Sequence, residues 1–473
     1  MGNSLQSTRE AFKPFPWDAF RTLLEGDCRP VLLHSARREP TGKTRTFLYA
    51  HPVSELAACR PADCTGLLGA LDEAREQGLY TAGWLTWEFG HAIHPETGPP
   101  AAWPEEDLAW FGVYTDRLVF DHDAHEFEDA VPDWAHEAVT AWRKVGHPEA
   151  RVFSAAGGIR PCLPSITPEE YLFATNSILE GILAGRYYQV NQTFRCALET
   201  GPNHFNLYQE CCGRQPVPHA AWLDNGRHRI LSFSPELFFR SEAGLITTRP
   251  MKGTAPRGET PASDAALARA LASSPKNRAE NAMIVDLLRN DLGRIARPGS
   301  VSVPRLYSVE THPTLHQMTS TVTALLRPEV TPTGILRALF PCGSVAGAPK
   351  IRAMREIARL ETTPRGVYCG AIGHIAPGGD ACFSVAIRTL VMQSPLAPIA
   401  SHTGPAPRME PHTADAANPE WPNCVPHDPH QPPTGMTGTS GHWPTIHNRA
   451  MARLGIGSGI VHDSSPAGEY DEC

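Results

Sequence analysis

The apolar residues of this chain fall in short runs, each closed by glycine, proline or a charged turn. Such runs fit sheet strands and are far below the roughly 20 apolar residues that span a bilayer. Val31–Ala36 and Arg45–Tyr49 read as strands with a charged turn between them. Gly83–Glu88 and Trp110–Tyr114 are aromatic and alternate. Leu67 to Gln77 reads as a helix stopped by Gly78. Residues 1–152 thus form a sheet-rich N-terminal half without evident chemistry.

The second half, 153–473, opens with Thr167-Pro168-Glu169-Glu170: an N-cap, a proline at the first helical position and two acids in the first turn. That helix runs to Leu183. Ser274-Pro275 caps another, from Lys276 to Leu292, ended by Gly293. Tyr187–Phe194, Ser232–Phe239, Thr319–Leu326, Gly366–Gly373 and Phe383–Leu390 read as strands, and Lys350 to about Leu360 as a helix. From 394 to 448 proline, histidine, threonine and glycine dominate and periodicity vanishes. The scattered histidines there fit a disordered insert better than a metal site. Order returns at Leu454–Val461. Strands mixed with helices over 473 residues imply an α/β (α+β) chain, as one large body or as two or more domains.

A formal net charge of -8 without a long basic run argues against nucleic acid or a membrane surface as partner. Met1–Gln6 lacks a basic segment followed by an apolar run, and Gln6 stands where N-myristoylation wants Ser or Thr. The 12 cysteines are scattered and form no Cys-x-x-Cys pair, which fits reduced thiols and a cytoplasmic location.

Several residues could carry chemistry. Lys252, in Pro250-Met251-Lys252-Gly253-Thr254, could grip a small anion, or belong to a solvated basic loop. Glu236 interrupts an apolar strand, so it faces solvent on an edge or points inward with a raised pKa. Glu280 lies on a helix, and Glu469 and Glu472, three apart, would share a helix face. Carboxylates converging from two segments suit Mg²⁺; alone, the last two read as a solvated face. Gly343–Lys350 runs into a helix N-terminus suited to an anion, yet lacks the Gly-Lys-Ser/Thr ending of a nucleotide loop. Gly457-Ser458-Gly459 reads as a second close-approach loop. Arg388, in an apolar strand, needs a carboxylate if buried, or else faces outward. His316 could orient substrate or donate a proton, or be satisfied by a neighbour.

Taken in order, Ser234-Pro235-Glu236-Leu237-Phe238, Pro250–Thr254, Ala279-Glu280-Asn281, Asp286–Gly293, Gly347–Lys350, Ala386–Thr389, Gly457–Val461 and Asp463–Glu472 resemble the chorismate-utilising enzymes. The resemblance covers residue 165 to the end apart from the insert, and more loosely the N-terminal half. It implies two facing, mainly antiparallel sheets with outer helices, as in anthranilate synthase component I. Lysine at 252 is similar to the aminodeoxychorismate synthase component I branch, where anthranilate synthases usually carry alanine.

The resemblance implies amination of chorismate to 4-amino-4-deoxychorismate. Lys252 would be the nucleophile and Glu236 the general acid. Glu280 and Glu472, supported by Glu469, would hold Mg²⁺. Tyr368, Arg388, Gly457 and Gly459 would hold the enolpyruvyl carboxylate, with Ser344 and His316 at further substrate positions. The chain has no Gly-x-Cys-x-Gly glutaminase elbow, so ammonia is expected from solution or from a separate glutamine amidotransferase subunit. Some relatives bind tryptophan near a Leu-Leu-Glu-Ser-like run; here Leu32-Leu33-His34-Ser35 carries His34 in place of the acid. The insert, the end at Cys473 before an expected helix, Ala346 and His374 depart from the family pattern. The alternatives are an anthranilate- or isochorismate-forming enzyme, or an impaired homologue that binds a glutaminase.

Overall fold

The computed structural model describes residues 12, 14–39, 43–128, 130–145, 159–395 and 450–473. The reading of Met1–Gln6, and the 394–448 insert from 396 onward, lie outside these residues.

Two sheets organise the described residues, and every strand pairing in them is antiparallel. The first has eleven strands, in the order Gly347–Ala348, Gln189–Thr200, Ala450–Ile460, Thr389–Gln393, His228–Ser234, His219–Asp224, Val31–His34, Arg45–Tyr49, Leu118–Asp121 and Glu126–Phe127; Ile159–Pro164 also pairs with Gln189–Thr200. The second has ten: Met251–Pro256, Leu315–Leu325, Leu245–Arg249, Leu237–Glu242, Ala381–Val385, Ala371–Ile375, Tyr80–Leu85, Ala109–Tyr114 and Ser54–Ala58, with Ser302–Thr311 against Leu315–Leu325. Each sheet takes strands from both sides of residue 152.

The sheets face each other. Val31, Tyr49, Leu223 and Ile230 of the first pack with Trp84, Trp110, Tyr114 and Ile372 of the second, and Trp84 stacks on Trp110 with ring centroids 5.0 Å apart. The neighbours of these residues point the other way. Leu32, Trp222 and Leu231 pack under the helices Trp17–Glu25, His136–Lys144 and His204–Arg214. Because both faces of each sheet are covered, the central strands are apolar almost throughout, as in Ala220-Ala221-Trp222-Leu223.

Two expected strands divide where the chain changes sheets. His228–Ser234 lies in the first sheet and Leu237–Glu242 in the second, separated by Pro235-Glu236. Pro235 has no N–H for a ladder, so the strand ends there. Likewise Ala381–Val385 and Thr389–Gln393 lie in different sheets, with Ala386-Ile387-Arg388 between them. Gly457–Gly459, expected as a loop, lies within the strand Ala450–Ile460, whose partner is Gln189–Thr200 over its whole length. That strand also pairs with Thr389–Gln393 through Leu390↔Leu454 to Met392↔Ala452.

The expected helices form at Cys64–Glu76, Pro168–Leu183, Pro275–Gly293 and Lys350–Leu360. Thr167 and Glu170 close a reciprocal capping box at 3.2 and 2.7 Å. Trp87 and Glu88, read as the end of the strand Gly83–Glu88, instead open the helix Trp87–Ile93. No helix among the described residues is long and apolar enough to cross a membrane.

Two glycines test this architecture. A methyl at Gly83 would stand 1.9 Å from the Trp110 carbonyl oxygen and 2.7 Å from Phe111 Cα, both backbone. Gly66, on the helix Cys64–Glu76, has nothing within 4 Å. Denaturant melts should show Gly83→Ala losing about 3 kcal/mol of stability. Gly66→Ala should gain about 0.5 to 1 kcal/mol. Equal effects would contradict the sheet packing.

Candidate active site

The lysine stretch is not a loop. Pro250 interrupts the chain between Leu245–Arg249 and Met251–Pro256, and both segments pair with Leu315–Leu325 (Thr248↔Val322, Met251↔Thr319). Lys252 is half-buried on the second segment. Its Nζ donates to the Ser344 carbonyl at 3.3 Å. Ser344 is fixed in the short helix Gly343–Ala346, and its hydroxyl lies 3.2 Å from the Cys342 thiol. On another side stands Gly459: a methyl there would lie 3.2 Å from Lys252 Nζ and 2.5 Å from Gln189 Nε2. The bare glycine keeps this approach open.

Burial lowers the pKa of Lys252, against the opposing pull of Glu236, Glu280 and Glu469. Glu236 is 3% exposed, at the sheet-to-sheet crossing and not within a strand. The inward alternative is therefore the observed one. Burial raises its carboxyl to about 7, opposed by its hydrogen bond with Ser344 and by the charge of Lys252. Its Oε1 has no hydrogen-bond partner among the described residues. A base weakened by desolvation and an acid strengthened in its neutral form thus share one pocket wall.

Three carboxylates flank this pair. Glu280 is partly buried on the helix Pro275–Gly293. Its pKa is raised by burial, opposed by Lys252 and Lys276, and raised further by Glu469 and Glu472. The last two lie on the helix Pro466–Glu472, where Glu469 is buried and Glu472 exposed. Glu469 accepts a hydrogen bond from the Ser458 hydroxyl. Among the described residues no group of three or more His, Cys, Asp or Glu side chains could hold a metal by itself. Mg²⁺ commonly takes only one or two protein carboxylates and completes its shell with water and substrate. The like-charged Glu280 with its neighbours fits that demand.

The remaining expected residues divide. Tyr368 is buried, and its ring fills the side-chain space of Gly455, where a methyl would meet Cδ1 at 2.0 Å. Arg388 sits at the second crossing with φ +53°, and its guanidinium meets no carboxylate or other acceptor among the described residues. Burial alone lowers its pKa. Among the described residues the carboxylate expected for a buried arginine is therefore not found. His316 is 1% exposed and engages Asp264 at 2.9 Å and Thr311 at 3.0 Å through its two ring nitrogens. Both ring nitrogens thus have protein partners, in keeping with the reading of a histidine satisfied by its neighbours. Its neighbour Gln317 instead donates to the Gly253 carbonyl at 2.8 Å, beside Lys252. Gln317, Gly455 and Gln189 carried no sequence signal beyond membership of a strand.

His34 lines a cavity of about 50 Å³ between the sheets, with Phe47, Glu39 and His374. Burial and nearby His122 hold His34 neutral, and its Nδ1 lies 3.0 Å from Thr46 Oγ1. Glu39 is paired with Arg240. The cavity therefore offers no unpaired carboxylate among its lining residues.

Residues 36–401 match the family model described as chorismate binding enzyme. That stretch includes Glu236, Lys252, Glu280, Ser344, Tyr368 and Arg388; Gly457, Gly459, Glu469 and Glu472 fall beyond it. The chain is 41% identical over 329 residues to an aminodeoxychorismate synthase of Streptomyces griseus, covering 66% of this chain and 45% of that protein. It is 38% identical over 282 residues to aminodeoxychorismate synthase component 1 of Escherichia coli (strain K12), covering 59% and 61%. It thus spans about half to three fifths of the length of these relatives. The crystal structure of anthranilate synthase component I from Streptococcus pneumoniae TIGR4 superposes with TM-score 0.68 at 25% identity, over 98% of this chain and 97% of that one.

The buried carboxyl has a thermal signature. The raised pKa of Glu236 means that folding disfavours its ionised form, so its contribution to stability is lost as pH rises from about 4.5 to about 7. In calorimetry across that range, the Tm of Glu236→Gln should gain on that of the parent chain and level off above about pH 7. A constant difference would place Glu236 in solvent.

Proposed function

The chain belongs to the chorismate-binding enzymes, and on that premise we propose that it converts chorismate and ammonia into 4-amino-4-deoxychorismate, the precursor of 4-aminobenzoate and folate. The observation that carries this reading is the pairing of a half-buried amine of lowered pKa, Lys252, with a buried carboxyl raised to about 7, Glu236. A neutral amine is a nucleophile, and a neutral carboxyl beside it is a proton donor.

In the first step the Lys252 nitrogen bonds to C2 of chorismate, both ring double bonds shift by one position, and the C4–O bond breaks. Glu236 gives its proton to the departing oxygen, which leaves as water. In the second step ammonia bonds to C4, both double bonds shift back, and the C2–N bond to Lys252 breaks. The proton shed by the new amine returns to Glu236. The balance is chorismate plus ammonia to aminodeoxychorismate plus water.

Glu280 and Glu472, with Glu469 in support, would hold Mg²⁺, which when bound neutralises the ring carboxylate. Arg388, with no acceptor among the described residues, suits the enolpyruvyl carboxylate. Over Gly455–Ile460 the strand's ladder is with Gln189–Thr200 alone, so its other edge keeps N–H groups for the same anion. Tyr368 backs this strand and Ser344 orients the amine. Relatives named component 1 support a second component; we assign it the release of ammonia from glutamine, in the cytoplasm.

The test is to incubate the purified chain with chorismate, Mg²⁺ and ammonium and to identify the product by mass. Aminodeoxychorismate is expected. Anthranilate or isochorismate would reassign the reaction, and no turnover would leave a subunit that only binds a glutaminase. Lys252→Ala should reduce turnover to background, and Glu236→Gln should lower kcat by about 10²- to 10⁴-fold. Full activity of Lys252→Ala would refute the covalent step.

A further inference from the structure

Behind the site lies a buried ion pair with no place in the chemistry above. Arg365 is 3% exposed, in the connection between the helix Lys350–Leu360 and the strand Ala371–Ile375. Its Nε and Nη2 donate to the two carboxylate oxygens of Glu361, at 2.9 and 2.7 Å. The same guanidinium reaches two separate pieces of backbone: Nη1 donates to the Val345 carbonyl at 2.8 Å, and Nη2 to the Asn191 carbonyl at 2.6 Å. One face lies over the Trp87 ring, 4.1 Å from its centroid. The main chain is anchored too, since Glu88 accepts from the N–H groups of Arg365 and Gly366 at 2.6 and 3.0 Å.

What these bonds hold is specific. Val345 follows Ser344, whose carbonyl receives Lys252 Nζ. Asn191 stands opposite Gly459 in the ladder, and Thr193 opposite Gly457. Thr193 gives both its N–H, at 2.8 Å, and its hydroxyl, at 3.0 Å, to the same Glu361. One ion pair therefore fixes the carbonyl that aims the amine and the strand that carries the two glycines.

We propose that Arg365 is a positioning residue, which with Glu361 and Thr193 sets the distance between the Lys252 nitrogen and the carboxylate-binding backbone of Gly457 and Gly459. This rests on the amination reading. Only a planar guanidinium can satisfy a bidentate carboxylate and two diverging carbonyls at once; an ammonium offers a point charge. Misplacement of reacting groups by about 1 Å can lower rates on the order of 100-fold.

The two arms of the device separate kinetically. Steady-state kinetics with chorismate, Mg²⁺ and ammonium on folded protein should show Arg365→Lys losing on the order of 100-fold in kcat/KM, with both parameters affected. Thr193→Val removes one hydroxyl donor on the glycine side and keeps the shape. It should raise KM for chorismate about fivefold and leave kcat within twofold. A purely structural role would change the folded fraction and leave kcat and KM of the folded enzyme unmoved. If both variants match the parent within twofold, or if Arg365→Lys fails to fold and Thr193→Val matches the parent, the proposal is overturned. An inactive parent chain would sink the amination reading instead, and is recognised before any variant is compared.

Discussion

Two sheets covered on both faces leave little room for water, and this dryness is what the chemistry depends on. A chain that passes from one ladder to the other must find new partners for its backbone at the crossing, as Glu236 does with the Ser234 hydroxyl and the Val385 N–H. Glu236 and Arg388 occupy two such crossings. At the first, desolvation raises a carboxyl to about 7, and at Lys252 it lowers the amine's pKa against the opposing pull of that carboxyl. In bulk water neither shift would survive, because solvation of the charged forms would restore ordinary values. The fold therefore shifts both groups by excluding water.

The support beneath the site follows a different logic. The lysine and the glycines belong to different sheets and are distant in sequence, so their separation cannot be set locally. Arg365 and Glu361 carry that information through a charged, multiply bonded contact, where an apolar contact would leave the spacing soft. Burying such a pair brings no assured gain in stability. Its value lies in defining a distance.

Much of this was legible in the residues. Helix limits were readable because caps act locally: Thr167 with Glu170, Ser274 ahead of Pro275, and Gly293 as a stop. The pairing of Glu236 with Lys252 was expected from resemblance and chemistry together, and the inward acid was one of two open readings. The division of Ser232–Phe239 and Phe383–Leu390 between sheets was not seen, because a chain changing sheets stays apolar on both sides of the crossing. For His316 a satisfying neighbour was one of the open readings, but its partner Asp264 is 52 residues away and nothing local announces it. Arg365, Thr193 and Gln317 escaped notice for the same reason. Side chains that act through long-range contacts leave no periodic trace.

The register Leu390↔Leu454 to Met392↔Ala452 makes the strand of the glycines the return arm of a hairpin. Residues 396–449, which lie outside the described residues, connect its two arms in sequence. Adding length there costs only about 0.6 kcal/mol for each doubling. Growth at this corner is thus nearly neutral for the scaffold, while the eleven paired positions of the strand Ala450–Ile460 keep the glycines in place.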